Sequence, residues 1–173
     1  MASSLMLNNP AGLQCIWERS PIDNHAYDLR DGLRVYATML QPSSRSQERV
    51  AMMASGQWTL AIPAPRRNIV IRYQTGAEVA WVERPYWSTS AMLHWSDGSQ
   101  YMWRPDGWLT GRWSWLDLYG RPAVTTARQG VFSLRFLVGF AQGAALTVDP
   151  ILLAALGYDL LQIMSHEAAQ RFG

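Results

Sequence analysis

The sequence predicts a mainly β domain, a closed antiparallel barrel of about twelve strands around a C-terminal hydrophobic central helix. Three observations predict it. Most of the chain alternates apolar and polar residues with the period of two that is typical of strands. Glycine-containing turns separate these segments at short intervals, so sequential strands are expected to pair antiparallel. The chain then closes with a helical segment that is apolar on nearly every side, and such a helix must be surrounded.

The strand segments are short, and each has one face richer in large apolar residues. Trp113 and Trp115 share one face of the segment GRWSWLDL. Pairs such as Asp31-Gly32 and Asp97-Gly98 supply the positive φ angles that tight hairpins require. The predicted strands are 12–19, 24–30, 33–41, 48–54, 57–62, 67–73, 77–84, 89–96, 99–105, 112–118, 122–128, 131–138 and 141–147.

The final helix is predicted over residues 149–171. Asp149 can accept hydrogen bonds from the free N–H groups of a first turn, and Pro150 suits the first helical position because its missing donor is not needed there. A barrel of about twelve strands has more interior than the wall side chains fill. The helix is therefore expected inside the barrel, where Asp159 would either face a barrel mouth or pair with a wall residue, for which Arg135 is the candidate.

Barrel and helix are predicted to form one domain, residues 16–173, after an N-terminal segment 1–15 that is expected to be poorly ordered. The chain of 173 residues is long enough for one substantial core and too short for two. The formal charge of +2 is too small to indicate a nucleic-acid partner, although all 15 basic residues are arginine. Residues 1–12 lack the features of a secretory signal. A cytoplasmic protein, or one peripheral to the membrane and without a transmembrane segment, is expected.

The sequence favours no catalytic or metal chemistry, so no enzyme activity, metal or cofactor is predicted. The His and Cys residues lack the close spacing of zinc ligands, and neither a nucleophile elbow nor a phosphate-binding loop is present. The aspartates that could form carboxylate pairs lie in or beside hairpin turns, where they serve local hydrogen bonding. The residues considered for these roles are Cys15, His25, His94, His166, Asp97, Asp106 and Asp117.

Four residues are candidates for ligand binding. Arg66 and Arg67 are adjacent in the proline-containing segment PAPRRN, from which guanidinium groups could bind phosphate. Trp108 directly follows an Asp-Gly pair, and Arg112 lies among the tryptophans of YMWRPDGWLTGRWSW. The competing interpretations are a solvated arginine pair and tryptophans that pack across hairpins on a barrel wall.

Three segments resemble the Tubby C-terminal-domain-like superfamily, which also holds phospholipid scramblases and plant LURP-one-related proteins. These segments are RWSWLDLYGRPAVTTARQG, VFSLRFLVGF and DPILLAALGYDLL. The resemblance covers roughly residues 20–170 and implies a twelve-stranded antiparallel barrel around a central hydrophobic helix. It also implies a non-enzymatic role, since members bind phosphoinositides or act at membranes. The chain departs from the phosphoinositide-binding members because it has no lysine and only one adjacent arginine pair, so no pocket residue can be transferred.

Three functions are consistent with these features. The first hypothesis is a non-catalytic binding or scaffold protein that engages anionic phospholipid headgroups or a membrane surface. An alternative is a small-molecule carrier or enzyme that uses a barrel cavity. A further alternative is a structural partner of another protein chain.

Overall fold

The computed structural model describes residues 12–41, 47–63, 68–85, 88–107, 110–130 and 135–172. Within these ranges the chain forms twelve strands followed by one helix. The elements are β1 (Gln14–Arg19), β2 (Ala26–Asp31), β3 (Arg34–Leu40), β4 (Glu48–Met53), β5 (Gly56–Ala61), β6 (Ile69–Tyr73), β7 (Glu78–Glu83), β8 (Ala91–Trp95), β9 (Gln100–Pro105), β10 (Arg112–Leu116), β11 (Pro122–Arg128), β12 (Phe136–Phe140) and α1 (Pro150–Phe172).

The twelve strands form a closed barrel in which every strand pairs antiparallel with its neighbours in sequence. Closure comes from β1 and β12, where Cys15 lies opposite Val138 and Trp17 lies opposite Phe136. A closed sheet has no unpaired edge on which another chain could add a strand. The predicted fold class is confirmed.

The two ends of the barrel differ. The turn end carries the β2–β3, β4–β5, β6–β7, β8–β9 and β10–β11 turns and the start of α1. The loop end is the opposite end, and it carries the β1–β2 turn and the C-terminal part of α1. The helix therefore runs along the barrel from the turn end to the loop end.

Helix α1 fills the interior of the barrel. Its residues are buried without interruption from Ile151 to Leu161, as an all-round apolar sequence requires. Tyr158 packs in an aromatic cluster, with its ring 4.9 Å from that of Trp17 and 5.5 Å from that of Phe136. The predicted N-cap is also present, because the Ile151 N–H donates to Asp149 Oδ1 at 2.9 Å.

At Gly157 the backbone of α1 lies close to the wall. A Cβ atom on this residue would lie 3.2 Å from Trp115 Nε1, 3.4 Å from Thr126 Oγ1 and 3.5 Å from Trp103 Nε1. Both tryptophans are fully buried. The absent side chain lets the helix pack against β9, β10 and β11.

The predicted pairing of Asp159 with Arg135 is wrong. Asp159 is buried and lies 2.7 Å from Arg49 Nε, whereas Arg135 contacts Glu18 at 2.6 Å from a largely exposed position. The reason is rotational, because the face of α1 that carries Asp159 is turned towards β4 and not towards β12. Burial raises the pKa of Asp159 to about 6, against the opposing effect of the Arg49 charge.

The predicted strand over 141–147 is also wrong. This segment is an irregular connection that turns at Gly143, where φ is +65°, and crosses the turn end to reach α1. Its backbone bonds to a neighbouring turn, with the Leu118 N–H donating to the Ala145 carbonyl at 3.2 Å. The strand predicted over 131–138 is observed as β12 at Phe136–Phe140, with 131–134 outside the described residues. Strand β1 starts at Gln14, two residues before the predicted domain boundary.

Candidate functional site

The turn end of the barrel contains a cleft of about 940 Å³, here named the mouth cleft. It lies between β3 and the β4–β5 turn on one side and the end of β12 with the 141–149 connection on the other. Its volume is near the upper end of the ~300–1,000 Å³ typical of small-molecule sites. Its lining is mainly apolar: Val35, Ala37, Met52, Met53, Ala54, Ala123, Phe140, Ala141, Ala144, Leu146, Val148, Pro150 and Ile151.

The cleft opens because two neighbouring strands differ in length at this end. Strand β4 ends at Met53, which pairs with Ala37 of β3. The first residues of β3, from Arg34 to Tyr36, therefore extend past the last β3–β4 pair. Their side chains line the cleft in place of a paired wall.

One carboxylate stands at the start of α1 inside the mouth cleft. Asp149 Oδ1 accepts the Ile151 N–H at 2.9 Å, and its Oδ2 accepts the Ser55 hydroxyl at 2.6 Å. The Tyr73 hydroxyl donates to the Ser55 carbonyl at 2.9 Å. These bonds fix the β4–β5 turn to the helix, so this wall of the cleft is held before any ligand arrives.

The opposite wall carries an aromatic and a basic side chain. The Tyr36 hydroxyl donates to Asp31 Oδ2 at 2.8 Å, and the guanidinium carbon of Arg34 lies 5.0 Å from the centre of the Tyr36 ring. Desolvation and the Asp31 hydrogen bond raise the pKa of Tyr36. Arg34 is exposed and thus places a positive charge at the edge of an apolar cleft. Nearby Cys15 has its pKa raised to about 11 by burial and by Asp31, so its thiol is protonated and unreactive at neutral pH.

The 141–149 connection that borders the cleft is itself fixed by buried polar groups. Asp117 Oδ2 accepts the Ala145 N–H at 3.2 Å, and the Thr147 N–H donates to the Tyr101 hydroxyl at 2.8 Å. Burial alone would raise the pKa of Asp117, but hydrogen bonds from Arg121, Ala145 and Tyr119 outweigh it and lower this pKa far below its ordinary value. A rigid border reduces the entropy lost when a ligand binds.

Exposed apolar side chains surround the mouth cleft on the turns of this end. Leu33 in the β2–β3 turn is 98% exposed, and Tyr119 in the β10–β11 turn is 76% exposed, with Leu118 half exposed beside it. Both turns also carry arginine, since Arg34 follows Leu33 and Arg121 lies with its guanidinium 5.3 Å from the Tyr119 ring centre. The two turns are about four strands apart around the barrel, roughly 19 Å at ~4.8 Å per strand.

Of the four sequence-predicted site residues, Arg112 falls within the described residues, and the structure does not bring it to the mouth cleft. Arg112 lies at the start of β10, at the loop end, with a mostly exposed side chain 3.9 Å from Asp106. Arg66, Arg67 and Trp108 lie outside the described residues. The sequence analysis did not single out the mouth cleft; the signal that could have indicated this end of the barrel is the presence of Leu33 and Leu118 in glycine turns, positions that polar residues usually occupy.

Comparison with protein-family models, with curated proteins and with solved structures finds no match. Within the described residues, no helix combines the length and apolar content that crossing a membrane requires. In the same part of the chain, no group of three or more His, Cys, Asp or Glu side chains is placed to hold a metal ion.

Proposed function

We propose that this protein is a binding protein without a catalytic step, and that it takes the apolar part of a lipid-like amphiphile into the mouth cleft. The observation that carries the proposal is the combination of a large apolar cleft with the exposed Arg34 at its edge. An amphiphile with an anionic head would place its apolar chain against Met52 and Met53 and its head near Arg34. The Asp149 carboxylate is already bonded on both oxygens, so it serves the helix rather than a ligand.

The position of α1 limits where a carrier could hold its ligand. Helix α1 occupies the interior that a lipocalin-like carrier would use, since its side chains from Ile151 to Leu161 are buried against the wall. A ligand is therefore expected at the mouth of the barrel, where space remains. This location combines the carrier alternative with the binding-protein hypothesis.

The rim supports a membrane surface as the source of the ligand. Leu33 and Tyr119 project from two turns that flank the cleft. Transfer of such exposed apolar side chains from water into the interfacial region of a bilayer is favourable. Tyrosine is enriched at that depth, and the exposed Arg34 guanidinium is suited to phosphate groups, whereas Arg121 is already paired with Asp117 at 2.8 Å. The turn end is thus a second candidate surface for lipid headgroups, in addition to Arg66 and Arg67.

A matched pair of methionine variants tests the mouth cleft. Met52 lines the cleft and is 40% exposed, while Met102 lies on the outer wall in β9 and is 39% exposed. We expect Met52→Glu to weaken the binding of a dansyl-labelled fatty acid by about tenfold or more, since an anionic side chain in an apolar site must be desolvated. Met102→Glu should leave the affinity unchanged. Equal effects of the two variants, or no binding by the native protein, would contradict the proposal.

A further inference from the structure

A second feature lies on the outer wall of the barrel, away from the mouth cleft. Trp81 of β7 points outward and is 46% exposed, an unusual degree for an indole in the middle of a sheet. In the register of the wall, Trp81 lies between Val70 of β6 and His94 of β8. One side of the indole therefore faces β6 and the other faces β8.

The β8 side of the indole is covered by a fixed imidazole. The rings of Trp81 and His94 are 4.9 Å apart and nearly parallel, with an angle of 10°. Gln100 Nε2 lies 3.2 Å from His94 Nδ1, and His94 Nε2 lies 3.2 Å from Glu83 Oε2. One tautomer satisfies both contacts, with the amide donating to Nδ1 and the Nε2–H donating to the carboxylate. The imidazole is thus held from both nitrogens and orients the indole against it.

The indole borders a depression of about 330 Å³ that reaches from Val70 of β6 across β7 to Ser96, which follows β8. Val70 contributes an apolar surface there, and Asn68, Glu78 and Ser96 contribute an amide, a carboxylate and a hydroxyl group. The depression therefore combines one flat aromatic face with polar groups of three kinds. Its volume is at the lower end of the range for small-molecule sites.

We infer that this depression is a binding site for a neutral sugar ring, here named the outer-wall site. A pyranose has a face of C–H groups that can lie on an indole, and its edge of hydroxyl groups can bond to amide, carboxylate and hydroxyl partners. The Glu78 carboxylate lies 3.4 Å from Arg72, whose guanidinium is also 3.7 Å from Glu48, so the charge of Glu78 is offset in part. Because His94 has already ordered the indole, a ligand need not lose entropy to orient it.

A quaternary ammonium ion is the main competing ligand, because the face of a tryptophan attracts cations. The two ligand classes predict opposite results with two simple probes, methyl β-glucoside and choline chloride. The depression is shallow, so binding of the glucoside is expected to be weak, in the millimolar range.

The test is a titration of the uniformly ¹⁵N-labelled protein, followed through the indole N–H signals. The Trp81 signal is identified by its loss in Trp81→Phe. We expect methyl β-glucoside or another methyl pyranoside from a small panel to shift the Trp81 signal in a saturable manner, and choline to leave it unmoved. In Trp81→Ala, saturation-transfer signals from the bound sugar should disappear, whereas they should persist in Met102→Ala, a control on the same wall.

The folded state of each variant is checked by its amide spectrum, so that loss of binding is not confused with loss of structure. A Glu78→Gln variant keeps the size of the side chain and should weaken sugar binding only a few-fold. The inference is overturned if no saccharide in the panel shifts the Trp81 signal, if choline shifts it and the saccharides do not, or if Trp81→Ala binds sugar as the native protein does. None of these results bears on the mouth cleft, whose test uses other residues.

Discussion

Single side chains determine how closely α1 fits the wall, and Gly157 is the clearest case. Alanine is the better helix former by about 1 kcal/mol, so propensity alone would make Gly157→Ala stabilising. The added Cβ would however lie 3.2 Å from Trp115 Nε1, and Trp115 and Trp103 are fully buried, so neither ring can move away freely. The steric cost should outweigh the gain in propensity.

We therefore expect Gly157→Ala to lower the free energy of unfolding by roughly 1–3 kcal/mol, the range for overpacking a dense core. Urea denaturation followed by tryptophan fluorescence measures this change. Ala168→Gly, at an exposed position of the same helix, reports the propensity effect alone. A Gly157→Ala variant that is more stable than the native protein would show that the Trp103 and Trp115 side chains can move to accommodate the added methyl group.

Asp159 makes stability depend on pH through a raised pKa. Burial raises the pKa of Asp159 from an ordinary 3.8 to about 6, and the Arg49 charge opposes the shift. A group whose pKa is higher in the folded state contributes stability below its unfolded pKa and loses it as the pH rises. The window in which this contribution is lost is thus about pH 4 to 6, and its size is roughly 3 kcal/mol at ~1.4 kcal/mol per pKa unit.

The comparison of native protein with Asp159→Asn isolates this effect. The difference in unfolding free energy, native minus variant, should fall as the pH is raised from about 4 to 6 and stay level above that range. Thermal or urea unfolding at a series of pH values supplies the curve. A difference that rises with pH would mean that Arg49 dominates and that the pKa of Asp159 is lowered.

At the scale of the elements, features with a local sequence signal could be predicted, and features that depend on the assembled barrel could not. Alternation and Asp-Gly turns are local signals, and so are the Asp149 cap and Pro150, which is why the hairpins and α1 were predicted correctly. The 141–147 segment also alternates weakly, but it must cross the turn end to bring α1 into the barrel, a constraint that no local pattern expresses. The partner of Asp159 depends on the rotation of α1 against distant β4, so it too was missed.

We expect the buried part of α1, residues 151–161, to contribute much of the stability of the protein. Leu156 is fully buried at the centre of the barrel, so Leu156→Ala removes apolar contacts and leaves a cavity. We expect a loss of about 2–5 kcal/mol in the free energy of unfolding, and Leu156→Asp should prevent stable folding. Leu118→Ala, on an exposed turn, should change stability by less than about 0.5 kcal/mol. Similar losses at Leu156 and Leu118 would be incompatible with a helix inside the barrel.

At the scale of the whole molecule, the two ends of the barrel differ in a way that the sequence did not reveal. The exposed Leu33 and Tyr119, the arginine-edged cleft and the start of α1 lie together at the turn end, from parts of the chain more than a hundred residues apart, while Ile22 is an exposed apolar residue of the loop end. Sequence reasoning weighed Arg66, Arg67 and Trp108 because adjacent charges and a tryptophan are visible in the linear chain. The mouth cleft arises from the unequal lengths of β3 and β4 and from barrel closure, and both are properties of the assembled sheet.

The proposed membrane contact is tested by determining which end of the barrel binds lipid. Co-sedimentation with vesicles that contain anionic phospholipid is compared between the native protein, two double variants and one single variant. Leu33→Asp with Tyr119→Asp alters the turn end, Ile22→Asp alters an equally exposed apolar residue (94%) at the loop end, and Arg66→Ala with Arg67→Ala alters the arginine pair.

We expect the native protein to sediment with the vesicles and the Leu33 and Tyr119 double variant to lose most of this binding, while Ile22→Asp retains it. If the Arg66 and Arg67 double variant also retains binding, the turn end makes the main contribution, and a partial loss would add a contribution from the arginine pair. Binding that survives the Leu33 and Tyr119 changes, or a native protein that stays in the supernatant, would show that the turn end is not a membrane-binding surface.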